Sequence, residues 1–379
     1  MKNSSLIHLP GYVIIGLFFL GYFYVLLLVR NLGLDFKWHV LYTQALSHSG
    51  NLPANPLYYG LSYLFSFCSE RPYRLLRATV VLMGLAMMLK YGLTRALLGD
   101  AAIFRNRTGQ TEIRLALLSA ALLVCFSLPL HWNRYYLGQV PPTLWHSPTA
   151  ILVAPFALGL FLCSARYLEN NGRAALLSMA AFILLNALTK PSFLFPFILA
   201  FPVMLFGRYG RQRAAMEGML PVVFAGALVM AQYVLIYHFG FSDFYGTGGG
   251  VKIAPFSVWR HFSDTPLLAL LFSCAFPLSV ALFFPSSLKK TVMGRYAWIL
   301  FLFSVLIFIV LSETGRREFH GNFMGPAILA GYPLFVVSLR MAMNQEPGWK
   351  KTAVLIVFSL HVLSGIIYIV RLLCTGNYI

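Results

Sequence analysis

Acidic side chains are scarce in this chain: Asp and Glu number 11 among 379 residues, and the four charged types together make up 11%. Soluble domains carry about 25% charged residues, so an ordinary globular fold in water is excluded. Cysteine is also sparse. The five present (Cys68, Cys125, Cys163, Cys274 and Cys374) show no paired spacing and three fall in apolar stretches, which indicates neither a zinc site nor a disulfide framework. The glycine-rich loop that cradles nucleotide phosphates is missing. Gly248-Gly249-Gly250 opens no helix with the following Lys and Ser/Thr, which speaks against ATP as an energy source.

What the chain does have is apolar surface: 59% of residues are hydrophobic and the mean hydropathy is +0.74. Stretches of the roughly 20 apolar residues needed to cross a bilayer recur from Leu9 to Leu373. Their pattern predicts an all-α polytopic membrane protein with about eleven spans, at 11–30, 77–97, 113–131, 148–165, 175–189, 192–207, 218–239, 266–285, 296–312, 323–341 and 352–371. The whole chain, 1–379, then forms one transmembrane domain with no soluble domain. The first span has no small-residue cleavage site after a short apolar core and reads as a retained anchor. Segment 56–67 is apolar and aromatic but too short to cross, and reads as an interfacial or re-entrant helix within a first external loop, 31–76.

Positive residues are retained on the cytoplasmic side of a membrane, which places the N-terminus inside. The inside loops then hold Arg95, Arg105, Arg107, Arg114, Arg166, Arg173, Arg208, Arg211, Arg213, Lys289, Lys290, Arg295, Arg340, Lys350 and Lys351, a plain topology signal. The outside loops differ. There Asp35, Glu70, Asp243, Asp264, Glu313 and Glu318 mix with Lys37, Arg71, Arg74, Arg77 and other cations, with histidines and aromatic rings between them. The net charge of +18 is spread over short loops, so anionic lipid headgroups are a simpler partner for it than nucleic acid.

Four external constellations carry the chemistry. Asp35 and His39 are four apart and share a face if that stretch is helical. Asp35 then serves as a general base, as a helix cap, or as both. The second constellation holds His131, Asn133, Arg134 and Gln139 with Trp145-His146-Ser147-Pro148. Rings beside polar groups are how proteins hold sugars, although an aromatic belt at the headgroup level also accounts for the rings. Lys190, in Thr189-Lys190-Pro191-Ser192, splits one apolar stretch and is either a phosphate ligand or a charge reaching for water. Fourth, Glu313-Thr314-Gly315-Arg316-Arg317-Glu318-Phe319-His320-Gly321-Asn322 is the densest polar segment, and its paired arginines suit phosphate oxygens. The glycine-rich loop 240–265 reads as a cover for substrate or as a connector.

This organisation resembles the GT-C class of membrane glycosyltransferases. Those enzymes place an Asp or Glu in the first external loop soon after span one, where Asp35 stands, and follow it with interfacial helices, where 40–67 lies. The resemblance implies transfer of a sugar from a polyprenyl-phosphate carrier to a hydroxyl of a lipid-linked or cell-surface glycan; one displacement with Asp35 as base gives inversion, and the use of two outside acids, Asp35 with Glu313 or Glu318, is the alternative. It places the reaction on the outer face of the cytoplasmic (inner) membrane, in cell-envelope glycan biosynthesis. Asp35 would be the catalytic residue, and His39, Arg134, Gln139, Trp145, His146, Lys190, Glu313, Arg316, Arg317, His320 and Asn322 the substrate-binding set. No cofactor is implied. The first loop has no Asp-Asp or Asp-x-Asp pair, which leaves a divalent metal in doubt. Two alternatives stay open: a glycan polymerase or ligase with a pyrophosphate-linked donor, and a flippase or transporter for lipid-linked sugars. The latter calls for mid-span charges, of which Lys90 is the clear one, and for a repeat between halves.

Overall fold

The computed structural model describes residues 4–30, 35–49, 53, 55–104, 108–130, 138–239 and 250–376. Helix dominates because the backbone of a segment surrounded by hydrocarbon must satisfy its own hydrogen bonds. In chain order the helices are α1 (Ser4–Tyr24, extended by a π turn, Val25–Val29), α2 (Asp35–Ser49), α3 (Leu57–Phe65), α4 (Pro72–Gly99), α5 (Gly109–Val124), α6 (Pro148–Asn170), α7 (Arg173–Thr189), α8 (Leu194–Tyr209, preceded by a 3-10 turn, Pro191–Phe193) and α9 (Arg213–Tyr237). After a short strand β1 (Val251–Ile253) come α10 (Ser257–Phe262), α11 (Pro266–Ser273), α12 (Ala275–Phe283), α13 (Pro285–Lys290) and α14 (Val292–Val310). Strand β2 (Leu311–Glu313), α15 (Met324–Met343) and α16 (Trp349–Thr375) complete the chain.

Among the described residues eight of these helices are long and apolar enough to cross a membrane, and α11 with α12 forms a pair bent by 70° that counts as a ninth only if the two make one span. The protein is therefore an all-α multi-pass membrane protein. α6 and α15 form its centre, each 89% buried over its apolar window, whereas α9 at 22% and α1 at 33% lie at the edge. Short α2 and α3 lie together against the first turns of α4, with the Tyr58 hydroxyl bonded to Thr79 Oγ1 at 2.9 Å.

Two expected spans are not continuous helices. α5 stops at Val124, and residues 125–129 run on without regular structure where the sequence predicts helix to 131. Pro129 explains part of this, since it lacks an N–H and disfavours helix at Leu128. The stretch expected as one span at 266–285 breaks by 70° at Cys274. The two irregularities sustain each other, because the groups freed by one meet those freed by the other. Leu128 N–H donates to the Phe272 carbonyl at 3.3 Å, and Ser127 Oγ donates to Ser273 Oγ at 3.3 Å. Val140 N–H donates to Ser273 Oγ at 2.9 Å. His361 of α16 spans both: its Nδ1–H donates to the Phe126 carbonyl at 2.6 Å while Nε2 accepts from Phe276 N–H at 3.3 Å. Irregular backbone at this depth survives because protein side chains replace the missing ladder partners.

α16 approaches this seam so closely that a Cβ on Gly365 would overlap the Val124 carbonyl. Gly365→Ala is therefore expected to destabilise the fold by about 1–3 kcal/mol through forced backbone separation. Thermal unfolding in detergent measures this, and a variant as stable as the parent would refute the contact.

At the opposite end of the bundle, Arg95 and Glu112 form an ion pair in which each side chain is only 7% exposed. Arg95 reads from sequence as one of the plain loop charges. The structure instead puts it within α4, paired to α5.

Candidate functional site

Asp35 is the first residue of α2, where the helix dipole favours a negative charge. Its side chain is half-buried, and burial raises its carboxyl pKa. Lys190, His320 and the Ser147 hydroxyl each pull in the other direction, which identifies its neighbours: the turn after α7, the loop before α15 and the residue before α6. Three segments distant in sequence thus meet at one carboxylate. His39, one turn further along α2, faces the same region as expected. Its Nδ1 pairs with the Tyr59 hydroxyl at 2.9 Å, and its ring sits among Tyr42, Tyr58 and Tyr59. Burial first, and the charge of Lys190 second, drive its pKa down to about 3, so this imidazole is neutral at any physiological pH.

Lys190 is the hub. It occupies an extended position between α7 and the 3-10 turn that opens α8. Burial lowers its pKa, and the carboxylates of Asp35 and Glu313 oppose that shift. Burial first, and the same ammonium second, push the His146 pKa down to about 3. His146 and His39 are thus neutral neighbours of a cation, and Asp35 and Glu313 its anionic ones.

Glu313 closes β2 and is 8% exposed. Both of its oxygens accept from protein donors: Asn322 Nδ2 reaches Oε2 at 2.5 Å, Tyr237 at the end of α9 reaches Oε1 at 3.3 Å, and Arg317 stands 4.0 Å away. Glu318 pairs with Lys252 at 2.7 Å. That pair sits beside a two-stranded antiparallel sheet in which Val251 faces Glu313 and Ile253 faces Leu311. Gly250 N–H also donates to Thr314 Oγ1 at 2.7 Å. One end of the glycine-rich loop is thus fastened to the segment that carries Glu313, while residues 240–249 lie outside the described residues.

In the described part of the loop before α6, residues 138–147, the aromatic ring of Trp145 belongs to the core. Trp145 is fully buried, stacked on Phe19 at 5.4 Å and edge-on to Tyr22 at 5.7 Å, both from α1. Gln139 is 1% exposed and its amide donates to the Leu128 carbonyl. These two residues shape the loop from within, and His146 and Ser147 are what it presents toward Lys190 and Asp35. His131, Asn133, Arg134 and the side chain of Arg316 lie outside the described residues.

Three helices begin at this cluster. Ser147 precedes α6, Lys190 precedes the turn into α8, and Asn322 lies two residues before α15, whose Gly325 rests against Ser192. None of the three starts is capped by its own N-cap side chain. The positive ends of the helix dipoles therefore converge with Lys190 near Asp35, a field suited to an anion. Among the described residues no three His, Cys, Asp or Glu side chains gather as a metal site.

Tyr237 is a site residue that the sequence did not single out, whereas Ser147 stands in the second constellation and Lys252 in the glycine-rich loop without a role assigned to either. Ser147-Pro148 does carry the signature of a helix start, Ser before Pro at the first helical position, but nothing in that signal points to Asp35. The chain matches no family model and is significantly similar to no curated protein, so its site stands on its own chemistry.

Proposed function

We propose that this protein is a membrane glycosyltransferase of GT-C-like organisation. It moves a sugar from a polyprenyl-phosphate carrier to a hydroxyl of a lipid-linked or cell-surface glycan. The observation that carries the reading is the position of Asp35: a half-buried carboxylate with a raised pKa, beside Lys190 and at the meeting point of three helix starts.

The chemistry needs a base for the incoming hydroxyl and a positive field for the departing phosphate. Asp35 supplies the first. Its raised pKa makes it a better proton acceptor than a solvated aspartate, while Lys190, His320 and Ser147 keep the ionised form accessible. Lys190, Arg317 and the helix starts of α6 and α8 supply the second. Glu313 is bonded at both oxygens and Glu318 is paired with Lys252, so they hold the loops in place, and Asp35, bonded to the Ser147 hydroxyl, serves as the base. A single displacement with one base gives inversion at the anomeric carbon.

In this reading the eleven expected spans comprise the eight long helices, the bent α11–α12 pair, the shorter α7, and α5 continued by its extended segment. The site then faces the non-cytoplasmic side of the inner membrane. The test is incubation of the purified protein in nanodiscs with a panel of polyprenyl-phosphate sugars and lipid-linked acceptors, followed by mass spectrometry. Released polyprenyl phosphate together with a new glycolipid is the expected result. Silence across the panel, or carrier movement across vesicles without a new glycosidic bond, overturns it.

A further inference from the structure

α4 begins with Arg71, Pro72, Tyr73, Arg74 and Arg77, in a run that reads from sequence as loop charge. In the structure Pro72 already starts the helix, so Arg74 and Arg77 stand on its first two turns with Arg71 at the N-cap. All three side chains are exposed. Among the described residues none of them meets a carboxylate within ion-pair distance. Arg77 lies 4.4 Å over the Tyr73 ring and donates to its hydroxyl at 2.9 Å.

Three cations at this place oppose two ordinary preferences. The N-terminus of a helix is the positive end of its dipole, where arginines are repelled and anions are welcome. It is also the same end of the bundle as α2, α3 and Asp35, which the topology reading puts outside, where membrane proteins carry fewer arginines. Helix stability and the topology preference both work against these cations, and a bound anion would offset both.

The residues below define which anion. Successive i+4 positions after Arg77 are Val81, Leu85 and Leu89, exposed by 39%, 47% and 45% while the positions between them are buried or partly buried. At 1.5 Å per residue the row from Arg77 to Leu89 is about 18 Å long, the span of an extended acyl chain in one leaflet. Arginine forks above an unbroken apolar row have the outline of a phospholipid, charged at the head and apolar along the tail.

We infer that the outer half of α4 is a binding site for an anionic phospholipid, its phosphate on Arg71, Arg74 and Arg77 and one acyl chain along Val81, Leu85 and Leu89. The site is separate from the Asp35 cluster and does not depend on the proposed reaction. Arg74 and Arg77 do the principal holding, and Arg71 extends the positive surface at the helix start.

The experiment reconstitutes the full chain into nanodiscs of equal phosphatidylglycerol and phosphatidylcholine and counts retained lipids by native mass spectrometry. The parent protein is expected to retain the anionic lipid with at least a tenfold preference, falling toward parity in R71Q/R74Q/R77Q, since each basic residue contributes severalfold at a membrane surface. K289Q/K290Q, at the opposite end of the bundle, is expected to keep the preference. Raising salt on the parent protein alone is expected to weaken it, a readout that needs no variant. Undiminished preference in the triple variant, loss in K289Q/K290Q, or no preference in the parent overturns the site. Displacement of the lipid by millimolar inorganic phosphate also overturns it, by showing a site for free anions.

Discussion

Asp35→Asn is expected to lower the proposed sugar transfer by about 10²–10⁴-fold, the range that a positioned general base contributes. The substitution keeps the size of the side chain and its capacity to bond Ser147, so α2 and the surrounding loops stay in place. Binding of the carrier is expected to persist, because Lys190 and Arg317 are untouched and the repulsion between carboxylate and phosphate is removed. The check is a pair of measurements, turnover and carrier affinity in the same nanodiscs. Full turnover in Asp35→Asn eliminates the base assignment, whereas parallel loss of turnover and affinity makes Asp35 a binding group.

Lys190→Met comes next in size. It removes the cation between Asp35 and Glu313 and is expected to cost about 10²–10³-fold at neutral pH, as losing one charge-stabilising group in an active site does. The pH dependence separates this from simple disruption. Burial raises the Asp35 pKa and Lys190 lowers it, so deleting Lys190 lets it rise further. The base works when ionised, so activity climbs with pH through that pKa. In Lys190→Met the rising limb moves to higher pH, and part of the lost rate returns in alkaline buffer. A profile of unchanged shape would show that the ammonium does not act on Asp35.

Much of the architecture is legible in the sequence because the bilayer simplifies the problem: hydrocarbon permits helix, and hydropathy reports where helix must be. Asp35 at the start of a helix with His39 one turn on, and Lys190 at a sharp turn, are local patterns and were readable as such. What local pattern does not carry is convergence. That Ser147, Lys190 and His320 surround Asp35 depends on how α6, α7 and α15 pack, and no periodicity encodes it. The extended segment after α5 escaped for another reason. Cys125-Phe126-Ser127-Leu128-Pro129-Leu130 is as apolar as a span, and a short apolar run does not by itself distinguish helix from extended chain. Its partners, Ser273, His361 and Ser364, lie more than a hundred residues away. Trp145 was misleading because aromatic residues near a membrane surface look alike in sequence, whether they face water, lipid or, as here, the core.

The small sheet beside Glu313 bears on how such a protein changes its preferences. Tyr237, just before the stretch 240–249, donates to Glu313, and Val251, just after it, pairs with Glu313 in the sheet. Both mouths of that stretch are thus moored to one residue, so its length and composition are uncoupled from the geometry around Asp35. Doubling a loop between fixed ends costs only about 0.6 kcal/mol. The stretch is in this sense a cassette: exchanging it for a longer or differently charged sequence is expected to leave Glu313 and the partners of Glu313 where they are.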